Sequence, residues 1–499
     1  MPLKIDGEQF TFTQPNGEKF EVRLWGNQYY ATIETLDGYT IAQDPQTRYY
    51  HYASEQEGEL IPSDKVVTGT SIEANIAEKH LRNRIEVSKS LVYQRPGLAP
   101  GNSRWRQRRE EAKIESTKSA ITMAPAPPLR QPIGDYIGLC LLIEFPDVRA
   151  TIPRDEIDLY CNEQGYGGFG NNGSVYDYFY DNSRGKLRYS NTVTHYYTAP
   201  RQRSYYTDES IQYGVRATEL IREALTSLRN QGTNLQHLTS DSQDYIYALN
   251  VFYAGDVVNN WAKGLWPHCH HLNAPFPLAN NKLVFDYQIT NVGSALSLAT
   301  FCHENGHMVC DFPDLYDYGN DSSGVGQYCL MCMGGNANYF NPTQVCAYLK
   351  YKAGWIDRIT AIPSGVANHQ LEAGKNQFII FRKDPTEYFI VENRFQAGRD
   401  MSLPDSGLAI WHVDELGNNN NEQRSPQLHY ECSLIQADGL NHLERAQGYG
   451  DMHDLFDNTS NRFANNTNPP CKWWDGSLAH LEIYNISAPG TQVRFSSRL

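Results

Sequence analysis

Two histidines four residues apart, with a glutamate directly after the first, form the run His303-Glu304-Asn305-Gly306-His307. No other stretch of the chain is better equipped for chemistry. On an α-helix, residues i and i+4 sit one turn apart on nearly the same face, so both imidazoles project side by side and can share one metal ion. Glu304, about 100° further around a helix, is poorly placed as a same-face ligand but can reach a water beside that metal, where a general base belongs. Zinc suits this set: it accepts imidazole and carboxylate, and with one position open it lowers the pKa of its water to about 7. Attack on a peptide carbonyl follows, and the expectation is a zinc endopeptidase with Glu304 as base. A chance H-E-x-x-H on a polar surface helix is the plain rival. Here Leu296, Leu298, Ala299, Phe301 and Val309 make the helix apolar, and two histidines and a glutamate inside a buried helix need a reason to be there.

The third ligand is harder to read. After Glu304 the next glutamate is Glu372, beyond a change to β-type patterning, which disfavours a ligand from a downstream glutamate. An early helix exit that returns an aspartate to the metal fits better, and Asp311-Phe-Pro-Asp314-Leu-Tyr-Asp317 supplies three, with Pro313 enforcing the exit. Asp314 is the preferred ligand; Asp311 and Asp317 are the alternatives, left otherwise to hold calcium or face water. Cys310 shares the helix stripe of His303 and His307, though a small buried apolar residue is the simpler account. Two further clusters carry weaker signals. His268-Cys269-His270-His271 lacks a carboxylate partner and reads as packing or loop. Cys329-Leu-Met-Cys332 has no second C-x-x-C to complete four ligands and reads as core, with Met331 or Met333 below the metal in a tight turn before Gly334-Gly335.

The elements that must position these groups follow from patterning. Residues 1 to about 70 read as short strands separated by Pro15-Asn-Gly, Gly26-Asn and Asp37-Gly turns, and 72–95 as helical. From 95 to 130 proline, glycine and the basic run Arg104-Trp-Arg-Gln-Arg-Arg109 suggest an exposed linker, its arginines a solvated face or a processing site. A buried strand at 136–145, a helix near 216–229, a strand at 245–253, the metal helix at 294–310 and a helix at 342–352 come next. Beyond 360 short strands alternate with Gly, Asn and Asp turns. The fold class expected is α+β in three parts: 1–130, 131–360 and a β-rich 361–499.

Composition narrows the function classes. With 43 Lys+Arg against 57 Asp+Glu the net charge is −14, which disfavours a phosphate-backbone partner, so no nucleic acid is expected. The longest apolar run, Tyr136 to Phe145, is about half of what a membrane span needs, so no membrane span is expected. The first twenty residues alternate polar and apolar and lack the continuous apolar core of an export signal. Residues 1–139 contain no cysteine, which excludes latency by a thiolate on the metal. Ten cysteines in 499 residues leave the redox compartment open, and nothing speaks to oligomeric state.

Taken in order along the chain, several motifs resemble the immune inhibitor A-type family of zinc metalloproteases. They include Gln14-Pro-Asn-Gly17, Leu142-Ile-Glu-Phe-Pro-Asp147, Tyr180-Asp-Asn-Ser-Arg-Gly-Lys-Leu187, Trp266-Pro-His268, His303-Glu-Asn-Gly-His307, Pro313-Asp-Leu-Tyr-Asp317, Tyr388-Phe-Ile-Val-Glu-Asn-Arg394, Gly407-Leu-Ala-Ile-Trp-His-Val-Asp-Glu415, Gln436-Ala-Asp-Gly439 and Gly450-Asp-Met-His-Asp-Leu-Phe456. The chain departs from the family pattern at Cys310, where glycine is usual, and by one extra residue before Pro313-Asp314. The resemblance implies a zincin-like, metzincin-type catalytic domain at 131–360, an N-terminal α+β propeptide-like domain and a C-terminal β-sandwich-like domain. It implies Zn2+ on His303 and His307 with Glu304 as base, protein or peptide substrates, a latent zymogen and secretion; cytoplasmic residence is the alternative. Two other functions stay open: an inactive binding or adhesion protein with a structural metal, and a zinc hydrolase of a non-peptide amide.

Overall fold

The computed structural model describes residues 4–27, 31–56, 59–68, 79–81, 103–122, 130–278, 281–319, 321–421 and 424–499. Helix accounts for 22% and strand for 32%, so the chain is mixed α/β with several sheets and more strand than helix. The first sheet is an antiparallel meander of β1 (Ile5–Thr13), β2 (Lys19–Gly26), β3 (Ala31–Thr35), β4 (Thr40–Gln43), β5 (Tyr50–Gln56) and β6 (Glu59–Val66). Its apolar face, with Phe12, Val22, Leu24 and Ile41, also meets Trp261 and Trp266 from far along the chain.

The stretch read as a linker contains a 19-residue helix, α1 (Arg104–Thr122). The helix expected over 72–95 falls, apart from 79–81, outside the described residues.

The second sheet holds the site. Its order is β11-β12-β10-β7-β8, from β7 (Gly134–Glu144), β8 (Leu187–Val193), β10 (Leu249–Ala254), β11 (His268–Pro277) and β12 (Leu283–Val292), with the short β9 (Tyr197–Thr198) beside β7. Four strands run parallel and β11 is the antiparallel edge. The continuous apolar run of β7 is explained by burial on both faces. Leu139, Leu141 and Ile143 pack against Leu220, Ile221 and Leu225 of the helix Val215–Asn230. Cys140 and Leu142 face the opposite way, into the core that contains the helix Leu298–Cys310. In chain order the longer helices after α1 are α2 (Arg154–Asn162), α3 (Val175–Ser183), α4 (Val215–Asn230), α5 (Leu298–Cys310) and α6 (Ala347–Lys352).

The remaining strands form two sheets. One has the order β13-β15-β16-β17-β18, from β13 (Arg358–Ala361), β15 (Gln377–Arg382), β16 (Glu387–Arg394), β17 (Gly407–Asp414) and β18 (Cys432–Leu434). The other joins β14 (Ala367–Glu372), β19 (Arg462–Phe463), β20 (Glu482–Tyr484) and β21 (Gln492–Arg498). Every residue of β16 and β17 is buried. Phe389, Val391 and Ile410 point into a core shared with Ile483, Val493 and Phe495 of the second sheet. Tyr388, Ile390 and Trp411 point into the core that contains α5. Apolar packing therefore runs unbroken from the parallel sheet through α5 to the C-terminal strands. No helix among the described residues is long and apolar enough to cross a membrane.

Candidate metal centre

The helix that presents His303 and His307 is buried along its whole length; every residue of α5 from Leu298 to Cys310 except Thr300 is buried. Its close is unusual. Asp311 takes the left-handed conformation (φ 56°, ψ 27°), a position where glycine is the common choice. Its N–H bonds to His307 O at 2.9 Å and the next N–H, of Phe312, to Gly306 O at 3.1 Å. Aspartate tolerates this region better than most residues, and here its carboxylate is gripped by Arg108 Nη2 at 2.7 Å and Arg130 Nη2 at 2.8 Å. The reversal thus falls one residue after Cys310. It also turns the chain back so that Asp314 faces the two histidines.

The convergence is tight. His303 Nε2 and His307 Nε2 lie 3.0 and 3.2 Å from the same oxygen, Asp314 Oδ1. Each ring is held from behind: His303 Nδ1 bonds to Leu330 O at 3.0 Å and His307 Nδ1 to Phe312 O at 2.6 Å. A ring that donates from Nδ1 to a carbonyl presents a lone pair at Nε2, the tautomer that metal ligation requires. Two such nitrogens and a carboxylate oxygen meet at one point, where either a ring proton or a cation must sit among them. Asp314 Oδ2 accepts the Tyr318 hydroxyl at 2.6 Å, which leaves Oδ1 for that point. Burial pushes the Asp314 carboxyl up, but His307 and His303 outweigh it and hold its pKa well below the usual carboxylate range.

Glu304 stands one step back. Its Oε1 is 3.8 Å from His303 Nε2. It forms with the two histidines a group whose ligand atoms all lie within 4.8 Å of each other. Asp314 makes the shorter and more symmetrical approach, so the geometry favours Asp314 as the third ligand and Glu304 as its neighbour. Both Glu304 oxygens are buried without a hydrogen-bond partner at normal distance. The Cys269 thiol of β11 faces it. Burial raises the Glu304 pKa against the pull of the two histidines. The result is a buried carboxylate without a hydrogen-bond partner beside three convergent polar atoms.

The other sequence candidates are placed elsewhere. Asp311 is committed to the two arginines. Asp317 Oδ2 accepts the Asp321 N–H at 3.1 Å. Cys310 is buried with Arg130 and Asp311 as its charged neighbours, and burial pushes its thiol up. His268 is buried between Trp266 O (2.8 Å) and the Tyr287 hydroxyl (3.0 Å), in a strand rather than a loop. Cys329 and Cys332 are unpaired and buried, in core as expected. The turn at Leu330–Gly334 lies under α5, where a Cβ on Gly306 would come within 2.7 Å of Met331 Sδ. Gly306→Ala should therefore destabilise the protein by about 1–3 kcal/mol despite alanine's higher helix propensity. A urea titration checks it, and an unchanged midpoint would contradict the contact.

Compared with protein-family models and with curated proteins, the chain matches none.

Sequence reasoning missed the strongest feature of the site. The indole of Trp105, in the first turn of α1, stacks on His307 with ring centroids 4.5 Å apart and planes at 20°. The N–H groups of Arg104 and Trp105 bond to the two oxygens of Asp286 on β12 at 2.8 and 3.1 Å, so a carboxylate from another element caps this helix. Ion pairs fasten the rest: Arg104 to Asp241 (2.8 Å), Arg108 to Asp311, and Arg109 and Lys113 to Glu431. Trp105 is only 4% exposed. The arginines read as a solvated face thus fasten α1 over the buried histidines.

Proposed function

We propose that this chain is a zinc-dependent endopeptidase folded in a latent form. The observation that supports the reading most directly is the convergence of His303 Nε2, His307 Nε2 and Asp314 Oδ1 beside the orphaned Glu304 carboxylate. The donor set fits zinc: two imidazoles, each fixed by a backbone carbonyl, and one carboxylate fixed by a tyrosine hydroxyl. When bound, zinc supplies Lewis-acid chemistry, acidifying water and steadying negative charge on oxygen. Glu304 takes the proton from the attacking water and delivers it to the leaving amine. Burial raises its pKa, the direction that suits a group which must both accept and return a proton. His303 and His307 hold the ion, Tyr318 aims Asp314, and Met331 with the Leu330 carbonyl fixes α5 from below.

In this reading residues 131–360 form a zincin-like catalytic domain and 361–499 a β-sandwich-like support. Residues 1–130 act as a propeptide-like region, as the resemblance to immune inhibitor A-type proteases implies, with secretion and peptide substrates following from the same resemblance. Latency would come from occlusion: α1 covers His307 with Trp105, with no need for a side chain that ligates the ion.

Two measurements test the proposal. Purified protein nicked by limited proteolysis should cleave casein and fluorogenic peptides while leaving small non-peptide amides intact. The opposite preference would point to an amide hydrolase, and no hydrolysis of either to a binding protein. Asp314→Ala should lower zinc per chain, measured by mass spectrometry, at least tenfold more than Asp311→Ala or Asp317→Ala. Equal zinc content in the three variants would remove Asp314 from the site.

A further inference from the structure

The seat of α1 is occupied in this structure, and its occupants are cations. A cavity of about 490 Å³ lies between α1 and the body of the protein, and its lining on the body side includes the carboxylates of Asp241, Asp311, Glu415 and Glu431. These four are not equivalent. Asp311 pairs with Arg130 and Glu415 with Lys352, neither of which belongs to α1. Among the described residues, Asp241 and Glu431 make their ion pairs with α1 alone: Arg104 and Arg108 go to Asp241, Arg109 and Lys113 to Glu431. Both carboxylates are enclosed, with 6% and 2% of their side-chain surface exposed. Their remaining side-chain hydrogen bonds come from neutral groups of the body. Asp241 Oδ1 accepts the N–H groups of Gln243 and Tyr245 at 2.9 and 3.1 Å, and Glu431 Oε1 accepts the Tyr348 hydroxyl at 2.5 Å. The seat also begins at the metal centre. Arg104 precedes Trp105, whose indole stacks on His307, so Asp241 stands at the metal end and Glu431 about 7 Å further along the helix axis. An extended peptide covers that distance in two to three residues.

We propose that Asp241 and Glu431 select basic substrates: peptides with two arginines or lysines two or three residues apart. This selectivity rests on the endopeptidase reading above. When α1 leaves, both carboxylates lose their cations together, and a buried charge without a partner is costly. A peptide that brings guanidinium or ammonium groups restores the pairs, whereas one that brings glutamates adds like charge. The helix itself shows the fit, since Arg104 reaches Asp241 Oδ2 with both Nε and Nη2, at 3.2 and 2.8 Å. A planar guanidinium suits such a contact better than a point charge does. The net charge of −14 acts in the same direction at longer range, drawing cationic peptides toward the chain. Asp311 and Glu415 contribute less, because Arg130 and Lys352 stay with them.

The experiment uses the zinc-loaded full chain with Arg104→Ala, Arg108→Ala, Arg109→Ala and Lys113→Ala combined, which frees the seat. The parent chain, nicked within α1 by a glutamate-specific protease that is then inhibited, runs in parallel, so an unstable variant does not decide the outcome. Three fluorogenic peptides differ only in an Arg-Ala-Arg, Ala-Ala-Ala or Glu-Ala-Glu segment, placed on either side of the cleavable bond. The Arg-Ala-Arg peptide should exceed the neutral one at least tenfold in kcat/KM at low salt, with a smaller margin at high salt. Asp241→Asn with Glu431→Gln should bring that ratio close to one. Glu431→Lys should turn the preference toward Glu-Ala-Glu, which a merely structural role would not do. Binding of the same peptides is measured separately, by fluorescence anisotropy in the Glu304→Gln form. Preferential binding of the basic peptide without cleavage supports the seat and overturns the endopeptidase reading. Equal cleavage of the three peptides overturns the seat and leaves that reading standing. Equal binding, no binding of any peptide, or a preference indifferent to Glu431→Lys likewise overturns the proposal.

Discussion

Glu304→Gln should abolish peptide-bond cleavage by the opened protein, by several orders of magnitude, while zinc content and fold stay at parental levels. The reasoning separates the two roles at the site. Binding rests on His303 Nε2, His307 Nε2 and Asp314 Oδ1, none of which the substitution touches. Glutamine fills the same volume in a pocket where Glu304 is fully buried, and it removes a buried charge whose oxygens have no partner. Stability should therefore hold or rise slightly. What glutamine cannot do is accept a proton and return it. Loss of a positioned general base alone costs about 10²- to 10⁴-fold, and here the same group serves two proton transfers in succession. Single-turnover cleavage of a fluorogenic peptide, beside zinc analysis and a melting curve, makes the comparison. Full activity in a zinc-loaded Glu304→Gln protein would refute the proposed mechanism, whereas loss of zinc with activity would instead move Glu304 into the ligand set.

How much of this could be read from the residues depends on whether the forces involved are local. The i, i+4 histidines, Glu304 and the helix beneath them were legible, because helical spacing fixes their geometry wherever the helix packs. The buried run of β7 was legible too, since a strand covered on both faces must be apolar throughout. Asp314 was reachable through Pro313 and the short return, but not the reversal at Asp311, since left-handed aspartate has no sequence signature of its own. The helix α1 escaped for a clearer reason. Among its described side chains the large buried anchor is Trp105, and much of its further hold comes from Asp241, Asp286, Asp311 and Glu431, between 137 and 322 positions away. A helix held by distant charges shows no apolar stripe, so its arginines read as a solvated face. Tyr318 and Cys269 were missed likewise: each matters only through a neighbour that the fold supplies.

That latch yields the second large expectation: replacing Trp105 by alanine, or cutting the chain so that α1 can leave, should raise peptidase activity at least tenfold over the intact protein. In the closed form His303 and Glu304 have no exposed side-chain surface and His307 has 4%, so a substrate cannot approach until the indole moves. The helix that carries the indole is held by ion pairs. Glu431, with a pKa lowered to about 2 although burial opposes it, owes that shift to Arg109 and Lys113. A carboxyl whose pKa is depressed in the closed state stabilises that state fully above its ordinary pKa of about 4.3. The contribution fades as pH falls from there toward about 2, when the carboxylate protonates and its pairs are lost. Acid should therefore loosen α1. Because acid also protonates the histidines, the readout at low pH is the rate at which trypsin cuts within Arg104–Lys118 after a brief acid pulse, and activity is read only after return to neutral pH. Arg109→Ala should show the same fast cutting without acid, since Glu431 then loses the nearer of its two cationic partners. If Trp105→Ala is as inactive as the intact chain and α1 resists trypsin equally in Arg109→Ala, then this helix is a permanent part of the fold and latency must lie elsewhere.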